Sequence, residues 1–290
     1  MYVQKMVLME NFGHPRENDD PCVLYLWHIW LFNALYLVSF LFLIYIVESC
    51  DMEVLVVFLA FLFGLIFGSF FNVVIYRLPK GMSVVKPGSS CPKCGHRLGP
   101  LELVPVVSYL LQKGRCQSCG EPIAWRYPIV ELGTGLGFAC IAWQSSSGIE
   151  LVVGFVYFSL LFVLALIDLD HKLLPNALTL PGIAFGLFFA LLGWSIPFWS
   201  SVLGVSLGFA VMFAIALISR GGMGMGDVKL MAMIGAFLGW QKVFFVLFWA
   251  SVVGSIGGVL FLYLTKQDRK TPIPFGPCLA VVALIYYILT

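Results

Sequence analysis

"EVLVVFLAFLFGLIFGSFFNVVIYRLPKG" occupies residues 53–81, and its reading decides the fold class. No charged side chain separates Glu53 from Arg77. A run of about 18 or more apolar residues is long enough for a helix to cross about 30 Å of hydrocarbon. Working outward, comparable runs recur, and membrane helices are expected at 24–47, 53–75, 128–146, 150–167, 174–193, 199–219, 228–240, 243–264 and 273–289. The whole chain of 290 residues is 60% hydrophobic and 11% charged, against about 25% charged in soluble domains. Composition therefore points to an all-α polytopic membrane protein. Residues 1–22 lack the basic, apolar and small-residue order of a cleavable signal. The net charge of +2 says little, and no nucleic-acid partner is expected.

The opening run ends in the longest polar segment, 77–127. It carries Arg77, Lys80, Lys86, Lys93, Arg97, Lys113, Arg115 and Arg126 against only Glu102 and Glu121. The positive-inside rule places such a loop in the cytoplasm. Threading the later helices then puts Lys172, Arg220, Lys229, Lys266, Arg269 and Lys270 on the same side, with Lys242 on the far face. The expected organisation has an N-terminal extension (1–51) with a further apolar run, a first core helix (52–76), a small cytoplasmic loop domain (77–127) and a membrane domain (128–290).

The loop contains Cys91, Cys94, Cys116 and Cys119 in two C-x2-C pairs, with 21 residues between the pairs. That separation lies just beyond the usual range for a zinc ribbon, but the form is close. Four thiolates close a tetrahedral zinc site with no open position, so the expected role is structural. A reducing cytoplasm argues against disulfides. Free or redox-active thiols are the competing reading. Cys22, Cys50, Cys140 and Cys278 lack such spacing and read as packing residues.

Two acidic stretches fall at the cytoplasmic boundary: "IDLDHKLLPN" (167–176) and "GMGMGDVK" (222–229). Asp168 and Asp170 are two residues apart and turn about 200° from each other on a helix, so they make a poor pair. Asp168 and Asp227 sit at separate helix ends that can pack side by side. Two close carboxylates tend to share one proton, and such a pair can activate water and polarise a carbonyl. Gly221, Gly222, Gly224 and Gly226 would let a substrate backbone approach. The competing reading makes the acids solvated boundary residues and the glycines a simple helix connection. Asp170, His171 and Lys172 read as interfacial. Glu131, inside "IVELGTGLGF" (129–138), reads as a buried hydrogen-bond partner.

These motifs have an order. "GLIFGSFFNVVIYRLP" (64–79) is followed by the cysteine pairs, with "VPVVSYLLQKGRC" (104–116) running into the second. Then come "RYPIVELGTG" (126–135), "DLDHKLLPN" (168–176), "GMGDVK" (224–229) and "PIPFGPCLA" (272–280). From about Met52 onward the chain resembles the bacterial prepilin peptidases, also called type IV leader peptidases. The resemblance implies eight core transmembrane helices and an intramembrane aspartyl protease of the Gly-x-Gly-Asp type. It implies Asp168 and Asp227 as catalytic carboxylates; Gly224, Gly226, Lys229 and Glu131 are expected to support the site. It also implies cleavage of prepilin or pseudopilin leaders after a glycine. Methylation of the new N-terminal residue by S-adenosylmethionine follows for many members. The expected location is the bacterial inner membrane, with the site facing the cytoplasm.

Two departures stand out. Residues 1–51 have no counterpart in that pattern, and Met52 is placed like its start. Asn176 stands where the family often has an acid. No Gly-x-Gly-x-x-Gly after a strand marks a methyl-donor site, which the resemblance alone places near the basic loop and residues 68–79. A transporter or zinc-responsive protein using Asp168 and Asp227 as a proton relay is the rival reading. A relay would favour mid-bilayer acids in repeat-related broken helices.

Overall fold

Long apolar runs give helices along most of the described chain outside the polar segment 78–125. The computed structural model describes residues 52–219, 223–265 and 274–289. The expected helix at 24–47, the glycines Gly221 and Gly222, and the basic residues Arg220, Lys266, Arg269 and Lys270 lie outside them. The helices are α1 (Met52–Arg77), the short α2 (Val107–Leu111), α3 (Arg126–Gln144), α4 (Gly148–His171) and α5 (Asn176–Leu191). They continue as α6 (Phe198–Ile218), α7 (Met225–Leu238), α8 (Trp240–Thr265) and α9 (Gly276–Leu289).

The expectation of eight core transmembrane helices is corrected here. Among the described residues only four segments are long and apolar enough to cross a membrane: Met52–Lys80, Gly148–His171, Phe198–Ile218 and Trp240–Leu260. A helix rises 1.5 Å per residue. The 14 residues of α7 and of α9 and the 16 of α5 therefore reach only about 21–24 Å, short of about 30 Å of hydrocarbon. α3 has the length, but Glu131, Thr134 and its glycines dilute its apolar character.

The separate cytoplasmic loop domain is corrected too, because Glu53–Thr290 forms one compact unit that includes the loop. The loop is fastened to the helices at several points. Arg77 donates to the carbonyls of Ser83 (3.2 Å) and Pro87 (2.7 Å). The Asn72 amide donates to the Tyr127 carbonyl at 3.2 Å.

Paired glycines set the packing. Between membrane helices, association relies on close backbone approach and van der Waals contact. Gly64 and Gly68 of α1 lie against Thr134, Gly135 and Glu131 of α3. Gly182 and Gly186 of α5 receive Met233 and Ala236 of α7. Gly204 and Gly208 of α6 press on Gly235 and Met231 of α7, where a Cβ at Gly204 would stand 2.1 Å from the Gly235 carbonyl oxygen. The Ser201 hydroxyl adds a bond to the Ala236 carbonyl at 2.7 Å. Short α7 is thus the buried centre, with Val228, Leu230, Met231, Met233, Ile234 and Ala236 fully covered. It starts at Asp227's turn, so the surrounding helices fix where that carboxylate sits.

Candidate active site

Three helix ends meet around two carboxylates. Asp168 lies one turn before the end of α4 and is only 6% exposed. The helix stops at Lys172, whose φ of +51° reverses the chain while its N–H still bonds the Asp168 carbonyl at 2.8 Å. The reversal sends Leu174 back into the core before Pro175 opens α5. On α7, Gly224 is the N-cap and Asp227 falls in the first turn, half-buried. The carboxylates are close enough for the charge of one to act on the other.

The third end is α9. Its first residue, Gly276, donates its N–H to Asp168 Oδ2 at 3.1 Å. A Cβ on Gly276 would stand 2.6 Å from that oxygen, so the bond depends on glycine. Leu174 ties the three ends together. A Cβ on Gly226 would lie 2.8 Å from Leu174 Cβ, and one on Gly276 would lie 3.4 Å from Leu174 Cδ1. Both carboxylates also meet helix N-termini, whose partial positive charge favours anions.

The residues expected to support the pair divide. Gly224 and Gly226 are at it. Lys229 points to α5 and donates to Asn176 Oδ1 at 2.7 Å, joining the starts of α7 and α5. Glu131 lies apart from it, at the base of the cysteine loop, where Oε2 accepts the Val106 N–H at 2.7 Å. Asp170 pairs with Arg126. Sequence reasoning missed Gly276 and Leu174. The "FGP" within 272–280 was a signal for the first, while Leu174 only becomes visible through its contacts.

The four cysteines converge within the loop. Their sulfur atoms all lie within 4.8 Å of one another, with Cys91–Cys119 at 3.8 Å and Cys94–Cys116 at 4.0 Å. Zn–S bonds of about 2.3 Å in a tetrahedron require sulfur separations of about 3.8 Å. Each pair is presented by the same turn. The Gly95 N–H bonds the Cys91 carbonyl and the Cys91 N–H bonds the His96 carbonyl; the Gly120, Cys116 and Glu121 groups repeat the pattern. Gly95 and Gly120 take φ of +73° and +71°. An ion pair between Lys93 and Glu121 links the two turns. Backbone N–H groups of Cys94 and then Lys93 pull the Cys91 thiol down to about 6; the Glu121 N–H pulls Cys119 down as well, but burial and the neighbouring thiols together outweigh it and push Cys119 up to about 12. The cluster is a site that can hold a metal ion.

A carboxylate pair gathered by buried helices is the arrangement that aspartyl-type hydrolysis within a membrane would need. The bacterial peptidase A24 N-terminal domain family matches residues 62–145, and the type IV leader peptidase family matches 155–259. The prepilin leader peptidase/N-methyltransferase of Aeromonas salmonicida is 38% identical over 257 residues, covering 78% of this chain and 88% of the relative. The protein of that name from Pseudomonas aeruginosa is 37% identical over 258 residues, covering 77% and 87%. The one from Bacillus subtilis is 35% identical over 228 residues, covering 79% and 92%. No solved structure matches. The chain belongs to the prepilin leader peptidase family. With its membrane-length helices, it is a multi-pass membrane enzyme of that type.

Proposed function

We propose that this chain removes the leader of type IV prepilins or pseudopilins, cutting after a glycine, with Asp168 and Asp227 as the catalytic pair. The observation that carries the reading is that Asp227 lies within reach of the Asp168 charge while the Gly276 N–H bonds Asp168 Oδ2. One carboxylate takes a proton from water as the water oxygen bonds to the scissile carbonyl carbon. The other, protonated, gives its proton to the carbonyl oxygen. Collapse of the tetrahedral intermediate breaks the C–N bond: the proton held by the base passes to the leaving amine, and one hydroxyl proton of the intermediate returns to the carboxylate that had given its own. Gly224 and Gly226 leave room for the substrate backbone. The site faces the cytoplasm of the bacterial inner membrane, on the side of the basic loop, where a basic leader would lie.

Cys91, Cys94, Cys116 and Cys119 fit zinc by number, donor type and spacing. With all four positions filled by sulfur, the ion would hold the loop together and take no part in hydrolysis. N-methylation of the new N-terminus, with S-adenosylmethionine as donor, completes the proposed function. The described conformation does not complete a site for that cation. The cavity between α1 and the loop has Arg77 as its charged lining group, and that guanidinium is committed to backbone carbonyls. No step is routed through the donor.

Co-expression with a prepilin, followed by mass spectrometry of its N-terminus, tests both activities together. Wild type should release a shortened, methylated product. Asp168→Asn and Asp227→Asn should leave the leader in place. An active Asp227→Asn enzyme would sink the catalytic pair.

A further inference from the structure

The cavity between α1 and the polar loop carries a positive charge and no carboxylate to match it. Ile66, Phe70, Val73 and Arg77 of α1 line it at helical spacing on one face, with Ser69 beside them. From Ile66 to Arg77 that face runs about 16 Å along the helix at 1.5 Å per residue. Loop residues between 84 and 89 and between 100 and 105 form the other wall of a space of about 530 Å³. Val85, Leu103 and Val104 belong to that wall and are exposed although apolar. The wall is fixed from behind. Glu131 Oε2 accepts the Val106 N–H, and Val106 is held at φ +62°, an outlier for a β-branched residue. Strain of this kind persists only where the surrounding structure imposes it.

Arg77 is bonded to neutral groups. Nη1 donates to the Ser83 and Pro87 carbonyls, and Nη2 to the Gly88 carbonyl at 3.5 Å. These bonds place the guanidinium without cancelling its charge, and they leave the Nε–H and one Nη2–H as donors. Lys80 rests over the Tyr76 ring at 3.5 Å, and Lys86 stands between the lining residues Val85 and Pro87. Among the described residues the ion pairs are Lys93–Glu121, His96–Glu102 and Arg126–Asp170. None of Arg77, Lys80 and Lys86 therefore has an acidic partner there. The charge lies near the end of the membrane-length segment Met52–Lys80, and the apolar face runs back from it along that segment.

We propose that this cavity is a site for an anionic phospholipid. The lipid phosphate takes the remaining donors of Arg77, and one acyl chain lies along Val73, Phe70 and Ile66 between α1 and the loop. Basic pockets at the cytoplasmic ends of membrane helices recognise anionic headgroups in this way. Charge decides against the other occupants. A cationic ligand would meet Arg77 with no counter-ion, and so would a basic leader peptide. Free phosphate would satisfy the guanidinium but leave the apolar walls uncovered. A lipid covers Val85, Leu103 and Val104 and bridges the loop to α1. The site is separate from the carboxylate pair and does not depend on leader cleavage.

The test titrates the purified full chain in nonionic detergent with phosphatidylglycerol or with zwitterionic phosphatidylcholine of the same acyl chains, read by native mass spectrometry. Wild type should hold phosphatidylglycerol roughly tenfold more tightly, the scale of a charge-assisted hydrogen bond. Arg77→Gln should bring the ratio near one, and Arg77→Lys should keep most of it. Val85→Glu sets a carboxylate in the wall without touching the Arg77 bonds, and it should also remove the preference. It carries the test by itself if thermal unfolding shows that Arg77→Gln is not folded. Phosphatidylglycerol with a photoreactive acyl chain should label residues 66–73 of wild type, and neither excess inorganic phosphate nor a prepilin should displace it. Equal affinities in wild type, an unchanged preference in Val85→Glu, or labelling confined to other helices would overturn the proposal. Displacement by phosphate would reduce the cavity to an anion site, and displacement by prepilin would give it to the substrate; either result overturns it too.

Discussion

The cysteine cluster and the carboxylate pair are both small constellations of titratable groups, but they are built in opposite ways. The cysteines come from two short turns that repeat the same hydrogen bonds and the same left-handed glycine. Each turn makes its half of the site locally. The carboxylates sit on α4 and α7, and Asp168's donor comes from α9, 108 residues away in sequence. Their geometry exists only because glycine-faced helices press around α7. Damage to packing should therefore reach the carboxylates and spare the cysteines, whereas damage to a turn should do the reverse.

The largest effect should come from the carboxylates themselves. Asp168→Asn or Asp227→Asn should lower leader cleavage by about 10²–10⁴-fold, the usual range for losing a general acid or base. Metal content should stay at the wild-type level. Loss of metal in either variant would break the separation between the two regions.

Gly276→Ala should follow. Its new methyl group would stand 2.6 Å from Asp168 Oδ2, so either the carboxylate or the start of α9 must move. Misplacement on the order of 1 Å can cost about 10²-fold in rate. Steady-state cleavage should show the loss mainly in kcat, again with the metal retained. Wild-type kcat would mean that the Gly276 N–H does not position Asp168.

Cys91→Ser and Cys116→Ser probe the other side. Each should release the metal and speed hydrogen exchange across 89–122, with a smaller fall in cleavage, roughly several-fold, because the loop is fastened to α1 and α3 at sites away from the sulfurs. The ligand must be thiolate. Acid competes with the metal for the thiolates, so retention should weaken as pH falls far enough to protonate them. Metal analysis along a falling pH series measures this, and metal that acid never releases would refute a thiolate site.

How much of this was legible in the sequence follows the same division. The cysteine site could be read from spacing because each half is local. Asp168 and Asp227 stood out because a carboxylate is costly among apolar residues, yet their meeting depends on helix packing that no local pattern encodes. Leu174 looked like any apolar residue beside a proline, and only the reversal at Lys172 turns it inward. Val106 gave no signal, since a valine at positive φ contradicts its own preference. Among the described residues the number of membrane-length helices was overestimated for a related reason. Apolar runs such as 228–240 mark burial equally well in lipid and in protein, and α7 is buried in protein.

The smallest effect should come from Asp170→Asn, and it sharpens the comparison. Asp170 is only two residues from Asp168, but it leaves α4 on another face and pairs with Arg126 at the start of α3. That places it where the loop region joins the membrane helices, so a large effect would mean that the two regions are coupled through it. The pair is partly open to solvent, with side chains 42% and 28% exposed. Ion pairs of that kind contribute about 0–1 kcal/mol once screening and side-chain entropy are counted. Asp170→Asn also keeps an oxygen that can accept from the guanidinium. Cleavage should therefore stay within about twofold of wild type, and thermal stability should move by no more than that small energy. A tenfold loss of cleavage with the metal retained would show that Arg126 and Asp170 hold Asp168 in place. The independence of the two sites would then have to be given up.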